Sequence, residues 1–158
     1  MNKPLLAGLG FGLTSAVITT LGLMIGLNAS TGSKLAVIGG ILTIAVADAF
    51  SDALGVHVAK ETEDGAVAKE VWAATGFTFL FKFIFALTFI IPVLLLSLNV
   101  AIIVSIVWGL SILSILSFCL AKNQGQSRFE SLSEHLGVAI LVLLISNTVG
   151  HYIAHYFG

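Results

Sequence analysis

The stretch LAVIGGILTIAVADAFSDALGVHVA, residues 35–59, decides the fold: its only charged side chains are Asp48 and Asp52, and His57 is its only histidine. A helix needs about 20 apolar residues to cross roughly 30 Å of hydrocarbon, and this stretch has that length. A carboxylate placed in hydrocarbon costs about 2.5–3.5 kcal/mol on insertion scales, so it lies against a partner or a water-filled path. The stretch therefore reads as a membrane helix that carries a polar site.

Outward from it, the whole chain has a matching composition, 58% hydrophobic and 9% charged, where soluble domains carry about 25% charged residues. Segments of spanning length run over Leu5–Asn28, Lys34–Ala59, Val71–Leu96, Val100–Ala121 and Leu132–Phe157. The connections between them are too short for a soluble domain. The expected fold is all-α and polytopic, with residues 1–158 forming a single five-helix transmembrane domain. The N-terminal MNKPLLAGLGFGL has one lysine before an apolar run that continues to about Leu27. That run is too long for a signal-peptide core and lacks a small-residue cleavage site, so it reads as a retained first span.

Lys3, Lys60, Lys69, Lys122 and Arg128 fall on one side of this layout and Lys34 on the other, which predicts a cytoplasmic N-terminus. A compact chain without targeting extensions fits a prokaryotic plasma membrane. A net charge of −1 leaves no basic surface for a polyanion, so nucleic acid is excluded as a partner. The single Cys119, inside an apolar run, reads as a small buried packing residue. Ser131-Leu132-Ser133-Glu134 has the capping-box pattern and predicts the start of span five. Pro92 predicts a kink toward the outer end of span three.

Span one carries Gly8, Gly12, Ser15, Thr19, Gly22 and Gly26 on one helical stripe. Small residues let backbones approach closely in lipid, and the stripe suits either packing within one chain or a homodimer seam. On span two, Asp48, Asp52, Gly55, Ala59 and Glu63 lie within about 80° of one another at helical spacing. Two carboxylates one turn apart oppose each other's ionisation unless a proton or cation sits between them, which is the behaviour a proton-for-cation exchanger needs.

Lys82 supports a second reading of the pair. Counted at 1.5 Å per residue from the same side, Asp52 lies about 12 Å deep, Asp48 about 18 Å and Lys82 about 15 Å. A short hairpin between spans two and three brings those depths together. An Asp–Lys pair that fixes structure and a cation-handling site are both open, and they are compatible if the ammonium fills the site when no metal does. His57 is expected as an interfacial hydrogen bonder or an accessory relay. The acidic second connection, with Glu61 and Glu63, is either a solvated link or a funnel that concentrates cations. In span five, Asn147, His151 and His155 recur every four residues, a spacing that could hold a metal. Tyr152 and Tyr156 beside them favour an aromatic and polar belt at the outer surface instead. No catalytic base or nucleophile accompanies these histidines, so no enzyme is expected.

Ala47-Asp48-Ala49-Phe50-Ser51-Asp52-Ala53-Leu54-Gly55 resembles the second span of the vacuolar iron transporter family, whose members carry a similar Ala-Asp-Gly-Phe-Ser-Met-Ala-x-Gly segment. Phe11-Gly12-Leu13, Thr19-Thr20-Leu21-Gly22-Leu23 and Gly26-Leu27 are similar to that family's first span. The resemblance implies a homodimer in the lipid bilayer that exports Fe2+ or Mn2+ from the cytosol in exchange for protons, with the metal as cargo and no permanently bound cofactor. The chain departs from the family pattern at Ser15, where the first span usually has aspartate. It departs again at Asp52, in place of methionine, and at Gly55-Val56-His57, in place of Gly-Glu-Tyr. Asp52 is expected to compensate for Ser15 by supplying an oxygen ligand from a neighbouring helix at similar depth. That exchange also replaces a soft thioether with a hard oxygen.

Overall fold

The computed structural model describes residues 3–124 and 127–158. The side chains of Lys3, Lys122 and Arg128, which carry part of the orientation argument, lie outside the described residues. The elements are α1 (Lys3–Thr31), α2 (Lys34–Thr43), α3 (Ala49–Glu61), α4 (Ala68–Thr88), α5 (Ile90–Leu95), α6 (Leu98–Gln124) and α7 (Arg128–Phe157). A π-helical turn over Ile44–Asp48 joins α2 to α3, so the two make one span. No strand occurs among the described residues. Five helical segments are long and apolar enough to cross a membrane: Pro4–Thr31, Lys34–Glu61, Ala68–Leu95, Leu98–Ala121 and Phe129–Phe157. The chain is thus an all-α polytopic membrane protein in architecture.

Span one is the hub. α1 packs on α4, α6, α7 and α2, and Ala16, Val17, Leu21 and Met24 are almost wholly buried along it. Its small-residue stripe explains how one helix touches so many others. A Cβ at Gly12 would stand 2.7 Å from the Thr78 carbonyl oxygen of α4, and one at Gly22 would stand 3.0 Å from Val142 Cγ1 of α7. The stripe is therefore consumed by packing within the chain, and the homodimer seam expected along span one loses its surface. Val37 and Ile41 of α2, Phe89, Val93 of α5, and Leu113 and Leu116 of α6 complete the apolar core around it.

The ends follow local chemistry. Gly32 takes a positive φ of 57°, which an L side chain rarely adopts, and ends α1 in a tight turn. Ser33 then caps α2 by accepting from the Ala36 amide at 3.2 Å. Lys34 reaches across to the far end of span three and donates to the Leu94 and Leu96 carbonyls at 3.3 and 3.1 Å. Those are the carbonyls a helix end leaves without partners. Span three breaks between Thr88 and Ile90. Pro92 accounts for the position, because its ring lacks a donor and crowds the carbonyl four residues earlier, that of Thr88.

Two sequence expectations change. α7 begins at Arg128, after an extended Ser127, rather than at the Ser131 capping box. The Ser131 amide already bonds to the Ser127 carbonyl at 3.1 Å, so Ser131 lies within the first turn. Cys119 is exposed, not buried; it lies on the outward side of α6, opposite the strip where Leu113, Leu116 and Ser117 face the core.

Candidate functional site

The buried face of α4 reads Val71, Ala74, Thr78, Lys82 and Ala86, at helical spacing. Four of these are small or apolar; the fifth places an ammonium in the interior. On the opposite helix Ala45, Ala49 and Ala53 are buried with 0, 0 and 4% exposure, and their small side chains allow the second span to lie close to α4. Asp48 and Asp52 flank that alanine strip and reach the ammonium from one side.

Lys82 Nζ lies 2.5 Å from Asp48 Oδ2, pairs with Asp52 Oδ2, and donates to Ser15 Oγ at 2.7 Å. Of the three donors an ammonium has, two hydrogen-bond to Asp52 and Ser15, and Asp48 adds an ion-pair contact. Three spans meet at one nitrogen. The amine side chain is fully buried, whereas Asp48 retains 31% exposure and Asp52 18%. With both acids ionised the cluster holds two negative charges against one positive, a formal charge of −1. Chemically this is a cation site whose resident cation is attached to the protein.

Two backbone features set the geometry. Gly12 rests against Thr78, and one turn further on the same two helices bring Ser15 to Lys82. The close glycine contact thus fixes the approach that the hydroxyl–ammonium bond requires. The π-helical turn ends on Asp48. Val37, Ile41, Ala45, Ala49 and Ala53 are all buried at a strict spacing of four; in an unbroken α-helix each such step drifts by about 40°. A wider turn carries an extra residue and takes back part of that drift, so the apolar upper half and the acidic lower half face the same neighbours.

The other expected residues lie apart from this cluster. His57 packs on α4, its ring centroid 4.5 Å from that of Trp72 and its Nδ1 3.0 Å from Thr75 Oγ1. Because the Thr75 hydroxyl donates to the Val71 carbonyl at 2.8 Å, it accepts from His57, which puts the imidazole proton on Nδ1. Glu63 pairs with Lys60 at 2.6 Å in the connection after α3, and Glu61 is exposed at the end of α3. His151 and His155 are both exposed. His155 stacks edge-on with Tyr156, which itself contacts Tyr152. No group of three or more His, Cys, Asp or Glu side chains among the described residues is placed to hold a metal. His151 and His155 stand on the exposed surface of α7 beside Tyr152 and Tyr156.

Two polar contacts lay outside the sequence reading. Ser117 Oγ donates to the Leu113 carbonyl and meets His135 Nδ1 at 2.7 Å, tying α6 to α7. Trp108 Nε1 donates to Thr88 Oγ1 at 3.2 Å beside the break in span three. The pairs His57–Thr75 and Ser117–His135 are each 18 residues apart, centred on a connection. Equal distance from a hairpin turn was the available signal.

Compared with protein-family models, curated proteins and solved structures, the chain finds no match.

Proposed function

We propose that this chain carries a divalent cation, Fe2+ or Mn2+, across the membrane in exchange for protons. Asp48 and Asp52 would hold the ion, Ser15 would add a hydroxyl oxygen, and Lys82 would occupy the site between loads. The observation that carries the reading is the surplus carboxylate: two acids face one ammonium at membrane depth. A lock that only held helices together would need one acid per amine, and an uncompensated charge at that depth costs about 2.5–3.5 kcal/mol. A site built to take up a further cation or proton has a use for the second acid. The donor set is all oxygen, which suits hard and borderline ions, and the choice of Fe2+ or Mn2+ rests on the resemblance of the first two spans. Metal and protons would compete for the same oxygens.

We place the N-terminus in the cytoplasm of a prokaryotic cell, with export as the direction, and Glu61 and Glu63 at the entrance. A homodimer belongs to the proposal, with its contact on the exposed face of span two, where Thr43, Ala47, Ser51 and Gly55 recur every four residues beside the acids.

The decisive experiment is Mn2+ flux into proteoliposomes under an imposed pH gradient. The wild-type chain should move Mn2+ only with the gradient, and Asp48→Asn and Asp52→Asn should each fall to the level of empty vesicles. Normal flux in Asp52→Asn would remove the proposal's basis. A second reading, a non-transporting module in which Lys82 pins three spans together, is favoured by the ammonium's contacts with oxygens of two other spans. It expects no flux in any variant, with Lys82→Met still unsettling the fold.

A further inference from the structure

Away from the charged cluster, a groove of about 490 Å³ runs along the outside of the bundle between α3 and α4, lined by Phe50, Leu54, Thr75, Gly76 and Phe79. At the end nearest the connection after α3 it meets a smaller hollow of about 190 Å³ that includes Glu61 and Ala68. His57 and Trp72 line both. The two spaces thus form one compound site with a polar end and an apolar end.

The polar end is uniformly electron-rich. With the Thr75 hydroxyl donating to Val71, the Nδ1–H tautomer of His57 donates to Thr75 Oγ1, and in that neutral ring Nε2 is an acceptor. The Glu61 carboxylate has no ion-pair partner among the described residues. Trp72 is 67% exposed, leaving most of its indole open to a cation. One cationic group with several N–H donors satisfies all three. Trp72 stands five residues into α4, at the depth where indole rings settle between head groups and hydrocarbon. From Glu61 down to Phe50 the helix descends about 16 Å, along a wall that offers only hydrocarbon side chains beyond His57.

We propose that this site binds one membrane phospholipid with a primary-amine head group, its ammonium held by Glu61, His57 Nε2 and Trp72 and one acyl chain lying in the groove between Phe50 and Phe79. The groups involved are not those that contact Lys82; Glu61 alone is shared with the proposed cation entrance, and lipid binding is read from Trp72 without reference to flux.

Trp72 supplies the readout. In a Trp108→Phe background it is the only tryptophan, and its emission can be followed while the detergent-solubilised full chain is titrated with short-chain phosphatidylethanolamine, phosphatidylcholine, phosphatidylglycerol or free ethanolamine. Phosphatidylethanolamine should give a saturable change at about tenfold lower concentration than either other lipid, the scale of one desolvated ammonium contact. Glu61→Gln, at an exposed position that leaves the packing intact, should erase that preference, whereas Glu70→Gln should keep it. Gly76→Leu tests the apolar end, because a Cβ there meets nothing within 4 Å; the added side chain should weaken lipid binding without changing the response to ethanolamine. Equal response to the three lipids, a preference that survives Glu61→Gln, or free ethanolamine binding as tightly as the lipid would each overturn the proposal. So would a response that tracks protein concentration, which would mark a second copy as the occupant.

Discussion

Lys82 is the one charged side chain among the described residues with no exposure at all, and its neighbours decide what its replacement does. Lys82→Met leaves Asp48 and Asp52 facing each other without a cation. The fold should lose about 3–5 kcal/mol, as when one partner of a buried ion pair is removed. Asp48→Asn removes the surplus negative charge while its amide oxygen can still accept from the ammonium. Its melting temperature in detergent should equal or exceed that of the wild type, even as Mn2+ flux is lost. A large drop in melting temperature for Asp48→Asn would mean that both carboxylates are needed to hold the fold. The charged members of this cluster were legible in the sequence because a charge inside an apolar run demands a partner, and depth counting names it. Ser15 stood out only as a member of the small-residue stripe and as a departure at similar depth, and the Ser117–His135 bond not at all. Hydroxyls and imidazoles carry too small a burial penalty to announce a missing partner.

At the level of elements, glycine contacts set where the helices sit. Gly12 faces backbone, the Thr78 carbonyl, whereas Gly22 faces the side chains of Val142 and Ser146. Backbone cannot swing aside. Gly12→Ala should therefore cost about 1–3 kcal/mol, the range for overpacking, and Gly22→Ala less, as read from thermal unfolding of the purified variants. Gly12→Ala should also reduce Mn2+ flux, because it separates Ser15 from Lys82; equal stability and flux in the two variants would argue against this account. The stripe itself was plain in the sequence, but its use was not, since the same small residues suit an internal contact or a second copy. The π-helical turn was invisible for a related reason. Ile44-Ala45-Val46-Ala47-Asp48 has nothing that forbids an ordinary α-helix; the wide turn answers to neighbours on other spans.

Across the whole molecule, span number and approximate limits followed from apolar length alone, since hydrocarbon thickness fixes how long a crossing helix must be. Orientation rests on lysine and arginine placement and makes its own prediction. In a Cys119→Ser background, a cysteine at Asp64 should react with a membrane-impermeant maleimide only from the cytoplasmic side, and one at Gly32 only from outside; the reverse pattern would invert the proposed direction of transport. Burial is also unevenly shared. The hydrophobic window of span one is 56% buried within the chain and that of span five only 11%, so the last span meets lipid or another protein along most of its surface.

The ammonium at the centre of the bundle cannot diffuse away. It is tethered to the third span, whereas the oxygens it satisfies belong to the first and second. A free ion entering there must either bend a four-carbon stem out of its slot or shift one helix against two others. On the proposed reading, filling the site would therefore displace either the stem or a helix, and the tether would act as the latch.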